Sequence, residues 1–190
     1  MSRSYCFWRT DFNCNSSADP IGLQVGNYGT NFWTPMISGS RHPKGSTYVF
    51  RSGLNGGTQL SLTGSNEGET EPSADTDVEW IREMLNQYQT AKPYFFGDYY
   101  PLTGCDTRTD SYMAYQLDRP DLESGIILAF RRQDCETLRF SVTATLEKGV
   151  KYEFLDVDTG KERVIVGGDS YEFVFKDKPG SAFIHYTRKK

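Results

Sequence analysis

The sequence predicts an α/β part followed by an all-β part. Up to about residue 105, short strand-like runs stand on either side of one clear helix. From about residue 111 onward, apolar and polar residues alternate in short runs that are separated by regular turns. Strands separated by helices are typical of α/β folds, whereas a series of short alternating strands is typical of an antiparallel sandwich.

Four runs in the first half are strand candidates. SYCFW, residues 4–8, is apolar and aromatic and ends at Arg9-Thr10-Asp11, before a long polar loop. The second run is LQVGNYGTNFWTPMI, residues 23–37, which is aromatic and glycine-rich and is ended by Pro35. TYVFRSGL, residues 47–54, is a third candidate, and PYFF, residues 93–96, is a fourth that ends at Gly97-Asp98. Aromatic and β-branched residues favour strands in runs of this length.

One helix is predicted between these runs. Thr76 and Glu79 fit a capping box, in which a hydroxyl is followed three residues later by a carboxylate. The apolar residues that then recur at helical spacing are Val78, Ile81, Leu85 and Tyr88, with Trp80 and Met84 beside them. Pro93 ends the helix, because the residue before a proline disfavours the helical conformation.

The second half predicts five or six short strands. Residues 126–130 form a continuous apolar run, as in a strand that is buried on both faces. Alternating strands are predicted at 138–146, 152–154, 164–166 and 171–175, and AFIHY closes the series. These strands predict a small antiparallel β-sandwich at residues 111–190, after an α/β domain at residues 1–110.

Composition argues against several classes of protein. The chain has 21 Lys and Arg against 25 Asp and Glu, a formal net charge of −4, so it lacks the basic surface of a nucleic-acid-binding protein. No run approaches the apolar length of a membrane span, and the first residues do not resemble a secretory signal. We therefore expect no nucleic acid and no membrane as partners, and the compartment stays open.

Cysteine and histidine spacing predicts no metal site. The cysteines are Cys6, Cys14, Cys105 and Cys135, without a C-x-x-C pair, and the chain has only two histidines. A structural zinc site needs clustered thiolates and imidazoles. Two interpretations of Cys6 and Cys14 stay open, a disulfide between them or two unreactive thiols.

Asp11 is the sharpest candidate for chemistry, because it follows a predicted strand and lies beside Arg9. In a β/α barrel, carboxylates at the carboxyl ends of strands face the active site. The alternative is a cap or a surface ion pair with Arg9, which is the commoner role of such a residue. Asp98 follows another predicted strand in the same way, and a hydrogen bond to turn amides is the simpler interpretation there.

Aromatic residues are concentrated near Asp11 in sequence. Tyr28 and Trp33 belong to this group, and aromatic rings of this kind stack on the C–H faces of sugars. The alternative is that the rings are part of the core, which is more common. His185 lies in the last alternating run and is predicted to be a hydrogen-bonded sheet residue rather than a base.

Five segments occur in a specific order along the chain. They are RSYCFWRTDF, GLQVGNYGTNFWTPMISGS, YVFRSGLNG, PYFFGDYYPLT and MAYQLDRPDLESGIILAFRR. Together they resemble the closing third of glycoside hydrolase family 36-type proteins, a group that contains α-galactosidases and melibiases. The last two segments carry the most specific agreement. The resemblance covers nearly the whole chain.

The resemblance implies a fold and a set of site residues. It implies the last β/α units of a (β/α)8 barrel at residues 1–110 and a C-terminal antiparallel β domain at residues 111–190. The family's acid/base aspartate lies in an Arg-Ser-Asp motif, which corresponds here to Arg9-Thr10-Asp11 with Thr in place of Ser. Arg9, Tyr28 and Trp33 are expected to line the sugar pocket, and no cofactor is implied.

The resemblance also implies that the chain is incomplete as an enzyme. The family's nucleophilic aspartate lies on an earlier strand, and no segment here resembles its motif. We expect a fragment of a retaining hydrolase of terminal α-galactosides that is inactive alone. Two alternatives stay open, a non-catalytic carbohydrate-binding or structural fragment, and one chain of a split enzyme. A homo-oligomer or a missing N-terminal barrel portion would cover its open strand edges.

Overall fold

The computed structural model describes residues 7–8, 20–31, 36–37, 46–57 and 77–190. The chain divides into two compact units, Met1–Pro93 and Tyr94–Lys190. The sequence placed the domain boundary later, at 110/111. Strand β3 (Asp98–Pro101) precedes that boundary but pairs with β4 (Tyr112–Arg119), so it belongs to the second unit. The assignment of residues 1–110 to barrel units stays a prediction.

The first unit contains a parallel pair of short strands. β1 (Phe7–Trp8) pairs in parallel with β2 (Met36–Ile37), and helix α1 (Pro20–Asn31) lies between them in sequence. Parallel neighbours need a crossover connection, which is usually a helix. The predicted strand at SYCFW is confirmed at Phe7 and Trp8. The second strand candidate, residues 23–37, was wrong at its start, which belongs to helix α1, and among its described residues only Met36 and Ile37 form a strand. The β-α-β order agrees with the α/β character expected for the first half.

Helix α2 (Thr47–Ser52) replaces a predicted strand. The run TYVF favours a strand by residue type, but Ser46 caps a helix here, since its Oγ accepts a hydrogen bond from the Val49 amide at 3.4 Å. The helical turn buries Tyr48 and Phe50. The strand prediction was wrong because β propensity expresses how a side chain packs, and packing favours the helix at this position.

Helix α3 (Val78–Ala91) confirms the predicted helix, with two corrections. The N-cap is Asp77 rather than Thr76, since Asp77 Oδ1 accepts from the Trp80 amide at 2.9 Å. Val78 and Leu85 are exposed at 52% and 39%, so the buried stripe runs through other residues of the helix. Those residues are Ile81, Met84, Gln87, Tyr88 and Ala91.

The segment PYFF also differs from its prediction. Lys92–Phe96 form a 3₁₀ helix directly after α3, and the strand begins only at Asp98. Pro93 cannot continue the α-helical hydrogen bonds, and a tighter 3₁₀ turn is a common way for a helix to end. None of the described helices is long and apolar enough to cross a membrane.

The second unit is a β-sandwich, and all of its residues are described. A six-stranded sheet has the order β3-β4-β5-β10-β7-β8, and a separate ribbon pairs β6 with β9. Every pair in both sheets is antiparallel. After β3 and β4, the strands are β5 (Ser124–Arg131), β6 (Arg139–Thr143), β7 (Lys151–Asp156), β8 (Glu162–Val166), β9 (Ser170–Val174) and β10 (Gly180–Arg188).

One apolar cluster joins the two sheets. Ribbon residues such as Val142, Tyr171 and Phe173 share it with residues of the six-stranded sheet such as Phe154 and Tyr186. Each large buried side chain contributes roughly 1.5–3 kcal/mol by leaving water. This aromatic core holds the ribbon over the sheet and confirms the predicted sandwich.

Residues 111–190 contain seven strands rather than five or six. The missed strand is β4, whose sequence YMAYQLDR does not alternate cleanly. Gln116 lies on the same face as the core residue Ala114 and is fully buried, so its polarity conceals the pattern. β5 is buried along its whole length, as its continuous apolar run predicted.

Gly125 should be indispensable for the fit between β5 and β10. It pairs with Tyr186, and a Cβ added at Gly125 would lie 2.1 Å from Tyr186 Oη and 2.6 Å from the Leu117 carbonyl oxygen. Gly125→Ala should therefore lower the free energy of unfolding by about 1–3 kcal/mol through overpacking. Denaturant unfolding monitored by circular dichroism measures the change.

Gly104→Ala is the matched control, because a Cβ there would meet nothing within 4 Å. This variant should unfold at the wild-type denaturant midpoint. Equal midpoints for the two alanine variants would contradict the close contact at Gly125.

Candidate functional site

Some of the predicted site residues belong to the described part of the chain, and others do not. Arg9, Asp11 and Trp33 lie outside the described residues, so their roles stay predictions. Tyr28 lies in α1 and is buried, with 8% of its surface exposed. Asp98 is the exposed first residue of β3.

A buried polar network surrounds α1 and α2 in the first unit. Gln24 Nε2 donates to Tyr48 Oη at 2.9 Å and to Ser52 Oγ at 3.0 Å. Asn27 Nδ2 donates to the carbonyl oxygens of Ser52 at 2.9 Å and Leu54 at 3.1 Å. Because buried amides are costly without partners, these bonds fix how the two helices meet.

Arg51 is the largest side chain in this network and is 1% exposed. Its Nε and Nη2 donate to Gln87 Oε1 at 3.0 and 2.9 Å, which ties α2 to α3. Trp80 adds an edge-on contact with Phe50 at 6.1 Å between ring centroids. Arg51 and Gln87 are buried and hydrogen-bonded to each other, so we assign this network to positioning the helices rather than to chemistry.

The second unit contains an open cleft of about 310 Å³ at one end of the sandwich. Its lining combines aromatic rings with charged groups. They include Tyr100, Asp118, Glu123, Glu147, Tyr152 and Arg188.

Asp118 forms the polar side of this cleft. The Tyr186 hydroxyl donates a short hydrogen bond to Asp118 Oδ1 and accepts one from Gln116 Nε2 at 2.6 Å. Gln116 is held in turn by Thr145, whose amide donates to Gln116 Oε1 at 2.7 Å. The chain of bonds therefore runs from the ribbon side of the core to the cleft.

Burial governs ionisation in this network. Desolvation raises the pKa of Asp118, and the hydrogen bond from Tyr186 opposes that rise. Desolvation, together with the Asp118 carboxylate, raises the pKa of Tyr186, so its hydroxyl keeps its proton. The same causes, desolvation first and then the charges of Asp98 and Asp118, raise the pKa of Tyr100. The cleft thus offers a carboxylate acceptor and phenolic donors.

His185 lies on the opposite face of the six-stranded sheet. Its Nε2 is 2.8 Å from Tyr94 Oη, which is also 3.0 Å from Ser124 Oγ. Desolvation lowers the pKa of His185, which favours the neutral ring. The prediction of a hydrogen-bonded sheet residue is confirmed.

The described part of the chain contains no candidate metal site and no disulfide. Within it, no three His, Cys, Asp or Glu side chains are grouped so that they could hold a metal ion. Cys105 is an exposed free thiol and Cys135 is a buried one. Cys6 and Cys14 lie outside the described residues, so their two interpretations stay open.

Sequence reasoning missed the cleft. Its residues come from β3, β4, β5, β7, β10 and the segments between strands, and many of them are far apart in sequence. The available signal was the polar pair Gln116 and Asp118, two residues apart on one face of a largely buried strand. A buried polar residue is informative because it needs a partner.

Solved structures of α-galactosidases share this fold. The galactosidase domain of the α-galactosidase–sucrose kinase AgaSK matches with a TM-score of 0.65 and 18% identity, covering 93% of this chain and 26% of that one. The glycoside hydrolase family 36 α-galactosidase AgaB from Geobacillus stearothermophilus matches with 0.64 and 16%, covering 93% and 25%. A variant of AgaA from the same organism, in complex with raffinose, matches with 0.65 and 14%, covering 92% and 25%.

These matches establish similarity of fold over about a quarter of each α-galactosidase chain. No protein-family model and no curated protein matches the sequence. A match over 93% of the chain includes residues from both compact units, so the similarity is not confined to the β-sandwich.

The lowered pKa of His185 predicts a stability change between pH 7.5 and 5.5. An ordinary histidine has a pKa near 6.5, so as the pH falls the unfolded chain binds a proton before the folded chain does. The folded protein should lose stability across this window. His185→Gln should lose less, because its side chain does not titrate.

Chemical unfolding at several pH values measures both proteins, and the second histidine, His42, contributes equally to each. Parallel stability curves for wild type and His185→Gln would contradict a half-buried, neutral His185.

Proposed function

We propose that this chain is the C-terminal part of a retaining glycoside hydrolase that acts on terminal α-galactosides. The observation that carries the proposal is the fold match, which spans 93% of this chain and about a quarter of the α-galactosidase structures. The five ordered sequence segments support the same family independently of the fold.

The parallel β1–β2 pair supports a barrel origin for the first unit. In a (β/α)8 barrel, successive parallel strands alternate with helices, and the active site lies at the carboxyl ends of the strands. The described elements follow the order β1, α1, β2, α2 and α3. Between α2 and α3, Gly57 forms an isolated β-bridge, which stands at the place of a third strand. This alternation is the order expected of three consecutive β/α units.

Asp11 is the proposed acid/base. It follows the last residue of β1 by three positions, within Arg9-Thr10-Asp11. In the first step Asp11 would donate a proton to the leaving glycosidic oxygen, and in the second it would take a proton from the attacking water. A neighbouring Arg9 would favour the ionised form that the second step requires.

Arg9, Tyr28 and Trp33 are the proposed pocket residues. Tyr28 is only 8% exposed, so we expect it to support the pocket wall and to offer a sugar little more than a ring edge. Trp33 would supply the stacking surface, since aromatic rings present a broad apolar face.

The proposal requires a second carboxyl group from elsewhere. Retention needs an acid/base and a nucleophile about 5–5.5 Å apart, and no segment of this sequence resembles the family's nucleophile motif. We propose that an upstream barrel portion supplies it, either in the same polypeptide or as a separate partner chain. This chain covers only 26% of the α-galactosidase domain that it matches, which favours both arrangements over an enzyme that is complete in itself.

Asp11→Ala, made in the protein that includes the upstream portion, should separate good from poor leaving groups. Hydrolysis of a natural α-galactoside should fall by about 10²–10⁴-fold, because proton donation is lost. An activated aryl α-galactoside needs little proton donation, so its glycosyl–enzyme intermediate should accumulate and azide should restore turnover as an α-linked azide. Steady-state kinetics with and without azide measure this.

Asp98→Ala, which removes an exposed carboxylate from β3, is the control and should behave as wild type. The 190-residue chain alone should show no turnover of the aryl substrate. Equal losses on both substrates without azide rescue would remove Asp11 from the mechanism, and turnover by the isolated chain would overturn the need for a second portion.

A further inference from the structure

The cleft of the second unit has the chemistry of a small-ligand site. Its volume of about 310 Å³ is at the lower end of the range for ligand pockets, which limits an occupant to about one or two sugar rings. Asp118 lies on one side and Arg188 lines the cleft with it. Tyr100 supplies a partly exposed ring next to these groups.

Arg188 is held at the cleft by two glutamates. Its Nη1 is 3.0 Å from Glu147 Oε2, and its Nε is 3.8 Å from Glu123 Oε1. The Arg188 backbone amide also donates to the Glu123 carbonyl oxygen at 2.8 Å, which anchors the end of β10. These contacts fix a guanidinium whose remaining N–H groups can donate to a ligand, since a guanidinium carries five donors.

The charged groups that line the cleft favour a neutral ligand. The cleft carries three carboxylates, Asp118, Glu123 and Glu147, and one guanidinium, so an anion would be repelled. A cation would have to compete with Arg188 for the two glutamates. Within the described residues no acidic group is arranged to hold a metal ion.

The remaining polar atoms suit hydroxyl groups. The Asp118 carboxylate accepts from the Tyr186 hydroxyl at Oδ1 and from the Arg119 backbone amide. A carboxylate has about four lone-pair sites, so it can accept further hydrogen bonds from a ligand. A carboxylate acceptor and a guanidinium donor near an aromatic ring are the groups that bind a neutral polyhydroxylated ring, with hydroxyls paired at its edge and C–H groups on the ring.

We propose that this cleft is a second, non-catalytic binding site for a neutral sugar, contacted by Asp118, Arg188 and Tyr100. It is separate in sequence from the proposed acid/base Asp11 and does not depend on its role. The site would hold a sugar unit through the sandwich while chemistry takes place elsewhere in the full-length protein.

Galactose titrated into the 15N-labelled 190-residue chain should shift the amide resonances of Ser124, Thr145 and Glu147, which line the cleft, with a millimolar dissociation constant. Arg188→Met should weaken binding about tenfold, because it removes charge-assisted donors. Tyr100→Ala is a second variant that removes the ring and leaves the Arg188 ion pairs in place, and it should weaken binding several-fold.

Arg139→Met is the matched control, since Arg139 pairs with Glu172 at 2.8 Å on the ribbon and does not line the cleft. It should bind galactose as wild type does, and a thermal unfolding curve for each variant shows that it is folded. Galactose 6-phosphate should bind more weakly than galactose because of the excess negative charge.

Four results would overturn the proposal. They are an absence of shifts at about 50 mM galactose, shifts that Arg188→Met and Tyr100→Ala leave unchanged, tighter binding of the phosphorylated sugar, and binding of an alkylammonium ion in place of galactose.

Loss of hydrolysis in the full-length protein with cleft binding retained would count against the α-galactosidase function alone. Hydrolysis without cleft binding would count against this site alone.

Discussion

The position of Tyr186 couples the apolar core of the sandwich to its polar cleft. Its ring stacks on Phe154 at 5.4 Å between centroids, while its hydroxyl bonds to Asp118 and Gln116. Gly125 leaves the space that the phenol needs across the strand pair. A buried phenol without partners would be costly, so the core can be this dense only because the hydroxyl is fully engaged. Because Asp118 lines the cleft, the hydrogen bond that it accepts from the core residue Tyr186 also fixes one side of the cleft.

In the first unit, buried polar contacts hold the helices in place. Its helices meet through buried amides and a buried guanidinium, Arg51, in contact with Gln87. Such networks add little net stability, but breaking one partner leaves another unsatisfied in the interior. They therefore favour one arrangement of the helices over others. Precise placement of this kind is what the proposed role of Asp11 would require of the first unit.

The sequence predicted elements best where one signal dominated. The apolar run at 126–130 and the alternating aromatics at 171–175 became β5 and β9 because burial alone determines them. The helix at α3 followed from its period, but Asp77 rather than Thr76 caps it. The α2 prediction failed because tertiary packing outweighed strand propensity. β4 was missed because the buried Gln116 and the half-buried Asp118 interrupt its apolar pattern. The cleft joins residues from distant strands, which a single sequence cannot bring together.

The most direct test is a crystal structure of the protein that contains the upstream portion, with galactose bound. The account predicts galactose at the carboxyl end of β1, with an Asp11 carboxylate oxygen within about 3.2 Å of the anomeric oxygen. A second carboxyl group should lie about 5–5.5 Å from that of Asp11, on the other side of the anomeric carbon. An Asp11 side chain turned away from the sugar, or a sugar bound between two carboxyls that do not include Asp11, would contradict it.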